Sequence, residues 1–298
     1  MSKFKPEYKN GKQETYNAQD IKKYISTKEI LYALATSFSE DTGMTCLIHF
    51  NDRDREVIIP TNELSYTDKF VTASLIGKFI SLVLTSETTA SRKKAQQICR
   101  DNYINKLIPG DIVNAAIVST QMYGVFCDIG CGIIALLHCS NVSALKTIDC
   151  TKAFEGMYNI KVVIKDNSDG KISLSHKELL GTWQEEVDYI INKQYLVAKV
   201  HAIEEYGVFV NITQNLSGLA GPFEDNLEVG DSVVITIHSV TPSKSKVKVS
   251  IISKVETNQP AKPYRYYIPE SKHLDVWEYN PECEIERRRI RAVFTEKN

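Results

Sequence analysis

One four-residue string, Tyr-Gly-Val-Phe, occurs twice, at 123–126 and at 206–209, an offset of 83. Leu136 and Leu219 keep that offset. Further on, Gly156 answers Gly230 at an offset of 74. Lys171-Ile172-Ser173-Leu174-Ser175 answers Lys246-Val247-Lys248-Val249-Ser250 at 75. Landmarks repeated in one order are the mark of a duplicated unit. The chain therefore holds two copies of one domain, and the second has the shorter middle loop.

Each copy is made of short β-branched runs broken by glycines, the pattern of a small barrel or sandwich. The first opens on Pro109-Gly110-Asp111, a turn that ends one element and starts another. It continues through Asp128-Ile129-Gly130 and closes on Leu137-His138-Cys139-Ser140. In the second copy Val247, Val249 and Ile251 alternate with Lys246, Lys248 and Ser250. Alternation of this kind puts one set inside and the other outside, as a closed barrel requires.

The flanking segments divide as follows. Residues 1–27 read as a flexible, Lys-rich arm. Residues 28–90 have four runs of β character, at 30–35, 45–50, 56–60 and 77–84, and read as a degenerate copy of the same barrel. Gly43 has no aromatic neighbour, so no nucleic-acid role is carried onto this unit; packing or protein docking is expected of it. Residues 91–106 are rich in helix formers behind a capping Ser91 and read as a linker helix. Its Arg92-Lys93-Lys94 is either a solvated face or a phosphate contact. The duplicated barrels take 107–176 and 193–254. Between them, 177–192 place Leu179, Leu180, Trp183, Val187 and Ile190 at helical spacing. Trp183 either anchors this second linker helix on a barrel or stacks on a base. In 255–298, Pro260 and Pro263 break regular structure. The many aromatics there, Tyr264, Tyr266, Tyr267, Trp277 and Phe294 among them, argue for a docked extension with a short strand pair. The basic run 287–291 leaves a free nucleic-acid-binding tail open.

Charge narrows the options. With 36 basic and 37 acidic residues the net charge is −1. Residues 1–30 carry seven lysines against four acids, net +3, and 107–190 carry six against ten, net −4. Affinity for nucleic acid must therefore come from stacking and a local basic face. No window holds eighteen consecutive apolar residues, so no membrane span is expected. The Lys-rich start lacks the apolar stretch of a secretory signal, which points to the cytoplasm. The seven cysteines then read as reduced thiols. Cys127, Cys131 and Cys139, near His138, sit in predicted strands and read as buried filler rather than a metal site. The six histidines are dispersed, and there is no Gly-rich phosphate loop or nucleophile elbow. No catalytic set, metal or cofactor is expected; His176 at a helix start reads as a cap or a solvated side chain.

At the motif residues both copies resemble the ribosomal S1-type RNA-binding domain. In the first the matching stretches are Pro109 to Asp111, Tyr123 to Asp128, Ala135 to Ser140, Gly156, and Lys171 to Ser175. In the second they are Tyr206 to Val210, Gly218-Leu219, Val229-Gly230-Asp231, and Lys246 to Ser250. The whole arrangement is similar to ribosomal protein S1-like proteins of clostridial type. The resemblance implies an all-β fold of tandem five-stranded OB-fold barrels joined by short linker helices. It implies non-catalytic binding of single-stranded RNA such as mRNA, in translation or RNA handling, by a monomer, with the small ribosomal subunit as a candidate partner. It also implies the contacts: Tyr123, Phe126, His138 and Lys171 in the first copy, Tyr206, Phe209 and Lys246 in the second.

Two departures weaken the expected binding. Gly221 stands where the family has a His, and Asn167 replaces an acid four residues before Lys171. Lys in place of Arg at the basic position holds phosphate only as a point charge. A geometric question also remains open. Residues three apart face opposite sides of a regular strand, so Tyr and Phe share a face only if the intervening glycine permits a bulge or turn. Otherwise one ring of each pair is core. The rival reading is a protein-interaction scaffold, which the neutral charge and Gly221 favour; a nuclease is the third.

Overall fold

A computed structural model describes residues 4–7, 13–67, 72–147, 149–168, 170–223, 226–255 and 264–294. Pro260 and Pro263, and parts of the expected arm, lie outside the described residues. The architecture is three tandem five-stranded OB-fold units with short helices between them. After helix α1 (Ile21–Thr27), the first unit comprises β1 (Ile30–Ser39), β2 (Gly43–His49), β3 (Asp54–Ile59), β4 (Phe79–Leu84) and β5 (Ala90–Ser91), in the order β3-β2-β1-β4-β5. A parallel bridge between Ile58 and Thr89 links its two edges, with Ile58 N–H donating to Thr88 O at 2.9 Å.

Helix α2 (Arg92–Asn102) follows, its first turn capped by the Ser91 side chain, which accepts from Lys94 N–H. The second unit is a closed barrel of β6 (Ile112–Gln121), β7 (Gly124–Asp128), β8 (Ile134–His138), β9 (Asn159–Asp166) and β10 (Ser173–Ser175), with α3 (Cys150–Ala153) before β9. A 3-10 turn over Lys177–Leu180 ends at Gly181, whose φ of +89° breaks the helical spacing read there. Helix α4 (Trp183–Ile190) then starts afresh, with Thr182 and Glu185 forming a reciprocal capping box. The third unit is a closed barrel of β11 (Leu196–Glu204), β12 (Gly207–Asn211), β13 (Ser217–Ala220), β14 (Ser232–Thr241) and β15 (Lys246–Val255). Numbered within each unit, the third and fifth strands run parallel, as β8 does with β10 and β13 with β15. The first unit's Ile58–Thr89 bridge repeats that connection.

The N-terminal segment is not a free arm where it is described. Glu7 is buried and forms a two-pronged ion pair with Arg92, whose Nε and Nη2 donate at 3.0 and 2.7 Å. Ser81 N–H and Oγ–H also donate to Glu7, at 3.0 and 2.8 Å. Glu7 N–H donates to Asp128 Oδ2 at 2.6 Å. Arg92 therefore neither faces solvent nor reaches for phosphate; it is 3% exposed and also donates to Leu64 O. A charge buried this deeply is retained only when paired and hydrogen-bonded. The arm stays put because both charges have their partners here.

The C-terminal segment is a strap across the second and third barrels. Ile112 N–H donates to Lys272 O at 3.0 Å, and Leu274 N–H to Gly110 O at 3.0 Å. Gly110 is required there, since a Cβ would meet Leu274 O at 2.2 Å and φ is +97°. Trp183 N–H donates to Tyr279 O at 2.7 Å. Strands β16 (Val276–Glu278) and β17 (Arg291–Val293) pair as a short antiparallel ladder. Trp277, Tyr279 and Phe294 join Trp183 in the core of the third barrel. Trp183, 5% exposed, is thus an anchor and offers no face to a base.

His176 is neither a cap nor solvated. It is fully buried against Phe154, Tyr264 and Tyr266. Its Nδ1 lies 3.0 Å from Val142 O and its Nε2 3.2 Å from the Tyr266 hydroxyl. The carbonyl assigns the proton to Nδ1, so Nε2 accepts from Tyr266. Burial lowers its pKa to about 4.

Candidate nucleic-acid interface

The strand register fixes which side chains share the outer face of each duplicated barrel. In the second barrel Phe126 stands opposite Ser119 on one side and Leu136 on the other, and Leu136 opposite Ser173. In the third, Phe209 stands opposite Ala202 and Leu219, and Leu219 opposite Lys248. The residues flanking each Phe, Val125 and Cys127 or Val208 and Val210, point inward and are buried. Both phenyl rings therefore lie outside the barrels, half-buried, with Leu136 or Leu219 beside them.

The two tyrosines share that face. Tyr123 is 52% and Tyr206 65% exposed. Each precedes its strand, in the turn after β6 or β11, so strand alternation does not bind it. The ring folds back onto the Phe three residues later. Tyr123 and Phe126 sit 6.3 Å apart at 88°, and Tyr206 and Phe209 6.1 Å apart at 90°. Both are edge-to-face pairs of the favoured kind. The glycine between them is needed for close approach. A Cβ at Gly124 would meet Leu137 O at 2.7 Å, and one at Gly207 would meet Ala220 O at 2.1 Å. Neither pair belongs to a core cluster.

His138 is exposed at the end of β8, opposite Gly124. Cys139 N–H donates to Tyr123 O at 2.9 Å, which holds this corner against the Tyr turn. His138 Nδ1 accepts from Ser140 N–H at 3.3 Å, so the outward Nε2 carries the donor. At the matching place in the third barrel Gly221 leaves open space. Lys171 and Lys246 are exposed near the start of the fifth strand of their barrels, on the side of the face away from the tyrosines. Asn167 donates to Ile104 O and Leu107 O and so ties the second barrel to the segment after α2. Lys248, in register with Leu219 and Phe209, is a face residue that motif matching passes over. Its outward place in the β15 alternation was the available signal.

The remaining candidates are used structurally. Cys127 and Cys131 are buried, Cys131 with its Sγ 3.7 Å from the Tyr32 hydroxyl. Among the described residues no group of three or more His, Cys, Asp or Glu side chains converges as a metal site. In the basic run, Arg288 donates to Lys244 O, Arg289 to Cys283 O, and Arg291 pairs with Glu278. Among the described residues no helix is long and apolar enough to cross a membrane.

No protein-family model matches the chain. It is 25% identical over 183 residues to the small ribosomal subunit protein bS1 of Leuconostoc lactis, covering 57% of this chain and 42% of that protein. With bS1 of Rickettsia conorii it shares 24% over 212 residues, 66% of this chain and 37% of that one. A stretch of 274 residues, 84% of the chain, is 24% identical to a third of the Fusobacterium nucleatum protein named 4-hydroxy-3-methylbut-2-enyl diphosphate reductase. The chain thus spans less than half the length of these curated relatives. Among solved structures, a multidomain protein with nucleic acid binding domains from Streptococcus pneumoniae aligns over 76% of this chain and 74% of that one, at 12% identity and a TM-score of 0.25. In sequence, over more than half its length, this tandem-barrel chain is similar to the bS1 proteins of the small ribosomal subunit.

Proposed function

We propose that this chain is a non-catalytic binder of single-stranded RNA, taking unpaired bases on the outer faces of its second and third barrels. The observation that carries the reading is the paired Tyr–Phe geometry, two edge-to-face pairs at 6.3 and 6.1 Å held outward on equivalent strands. Exposed rings on the second and third strands of an OB fold are stacking platforms. Tyr123, Phe126, Tyr206 and Phe209 take bases; His138 adds a ring and a donor; Lys171 and Lys246 neutralise phosphate. The similarity to bS1 proteins of the small ribosomal subunit supports RNA as the ligand; the role that goes with this reading is in translation or RNA handling on mRNA, near the small subunit, as a monomer.

The test is a titration of the whole chain with oligouridylate. Phe126→Ala combined with Phe209→Ala is expected to cost roughly 5- to 150-fold in affinity per ring, from about 1–3 kcal/mol per stacked base, with the thermal transition unchanged. Unaltered affinity in the double variant rejects the site. The first barrel favours a second reading for part of the chain. It shares the strand order but lacks the ring pair, and protein docking suits such a face better. Should the chain bind no oligouridylate at any salt concentration, docking becomes the reading for all three barrels.

A further inference from the structure

The two duplicated faces are built on the same lattice and differ in charge. At the end away from the tyrosine turn, one row of the third barrel runs Lys199, Asn211, Ser217. Lys246 lies two residues before Lys248 on β15, toward the Ser217 end. The next row is Ala202, Phe209, Leu219, Lys248. In the second barrel the corresponding positions are Ala116, Asp128 and Ile134, then Ser119, Phe126, Leu136 and Ser173. Three positions thus shift in the positive direction from the second barrel to the third: Ala116 to Lys199, Asp128 to Asn211, and Ser173 to Lys248.

Access differs in the same sense. Lys199, Lys246 and Lys248 are all exposed, and among the described residues no ion pair engages them; farther along β15, Lys254 is held by Asp231 at 2.7 Å. In the second barrel that end is plugged. Ala116 and Asp128 are buried, and Asp128 accepts from Glu7 N–H at 2.6 Å and from Gly130 N–H at 2.8 Å. Cys131 N–H donates to Lys5 O at 2.8 Å. The third face has acids too, but Glu204 and Glu205 stand at the opposite end, beside Tyr206. That face is therefore polarised along its strands, with rings at the acidic end and lysines at the other. Adjacent strands are about 4.8 Å apart, so Lys248 and Phe209, two strands apart, have backbones roughly 10 Å from each other.

Resting on the RNA reading, we propose that the two barrels divide the work, with Lys199, Lys246 and Lys248 of the third barrel forming the phosphate-holding end of the interface. The second barrel, partly closed at that end by the docked N-terminal segment, contributes chiefly base stacking through Tyr123, Phe126 and His138, with Lys171 as its phosphate contact. The third barrel has given up the ring at Gly221 and carries Lys199 and Lys248, which the second lacks. A strand of RNA lies with its bases on the rings of both faces, and most of its counterions are released at the third.

The test is oligouridylate binding by the full chain at several salt concentrations, read as the slope of log K against log salt. Each phosphate neutralised on a single strand contributes about 0.7 to that slope. Lys199→Gln with Lys248→Gln is expected to reduce its magnitude by about 1.4. Tyr123→Ala with Phe126→Ala should weaken binding at every salt concentration and leave the slope unchanged. If the lysine double variant fails to fold, Lys248→Gln alone is expected to reduce the magnitude of the slope by about 0.7. Oligouridylate binding by the wild type with an unaltered slope in the lysine variants overturns the division of labour and leaves the RNA reading standing. A wild type that binds no oligouridylate overturns the RNA reading itself.

Discussion

At the level of single residues, the buried polar groups carry the most information. His176 has one proton and two partners, a carbonyl and a hydroxyl, and no room for a charge. Its folded pKa of about 4 lies below the unfolded value of about 6.5. As pH falls, the unfolded chain takes up the proton first. The stability this group supplies is complete above pH 6.5 and is lost as pH falls toward 4, about 3 kcal/mol in all. In His176→Gln that pH dependence should vanish. The wild-type advantage in urea unfolding is thus expected to shrink by about that amount between pH 7.5 and 4, and a constant difference would show that the ring is not held neutral. Nothing local in the sequence marks His176 as buried, because its ring partners lie 22, 88 and 90 residues away. Arg92 misleads for the same reason. In a Lys-rich turn it reads as a surface cation, yet its carboxylate partner is 85 residues upstream.

At the level of elements, the recurring string was legible because its geometry is local: a turn, a glycine and the strand that starts there. Its side of the sheet was not legible from spacing alone. Strand alternation places residues three apart on opposite faces, but Tyr123 and Tyr206 stand before their strands and escape that rule. The glycines make the crossing possible, and they do so unequally. At Gly207 the clash for a Cβ is with carbonyl oxygen at 2.1 Å, against 2.7 Å at Gly124, and only Gly207 has a positive φ, +153°. Gly207→Ala is therefore expected to lower the midpoint of thermal unfolding more than Gly124→Ala. Equal shifts would mean that the β12–β13 crossing relaxes as easily as its counterpart. The lysine rows were hidden for a related reason: outward alternation was readable along β15, but which strand Lys248 sits beside depends on register across the barrel.

Over the whole molecule, the linkers are not flexible strings. Asn215, fully buried, donates to Lys177 O and Gly181 O at 2.9 Å and accepts from Ala144 N–H at 2.9 Å. It joins the second barrel, the linker turn and the third barrel through one side chain. Asn215→Ala strands three backbone groups, one buried and two half-buried, the buried one worth about 1–3 kcal/mol when left unpaired. The expected outcome in calorimetry is the separation of one cooperative transition into two, the third barrel unfolding apart from the second. A single sharp transition in the variant would show that the C-terminal strap suffices to couple them. For binding, fixed barrels trade adaptability for a set spacing between two weak sites, which raises effective concentration only for a strand able to span both.

The clasp made by Glu7 also has a consequence in time. On the ribosome Asp128, which accepts from the Glu7 N–H, follows that glutamate by 121 residues. At about 5–20 residues per second, that delay is roughly 6 to 24 s. Ser81 and Arg92 are made well before then, so the Glu7 carboxylate meets its partners first, while its backbone N–H waits for the second barrel. The clasp is whole only once the second barrel's β7 has been made, so the contact that ties the N-terminal segment to both units waits on a strand far downstream of it.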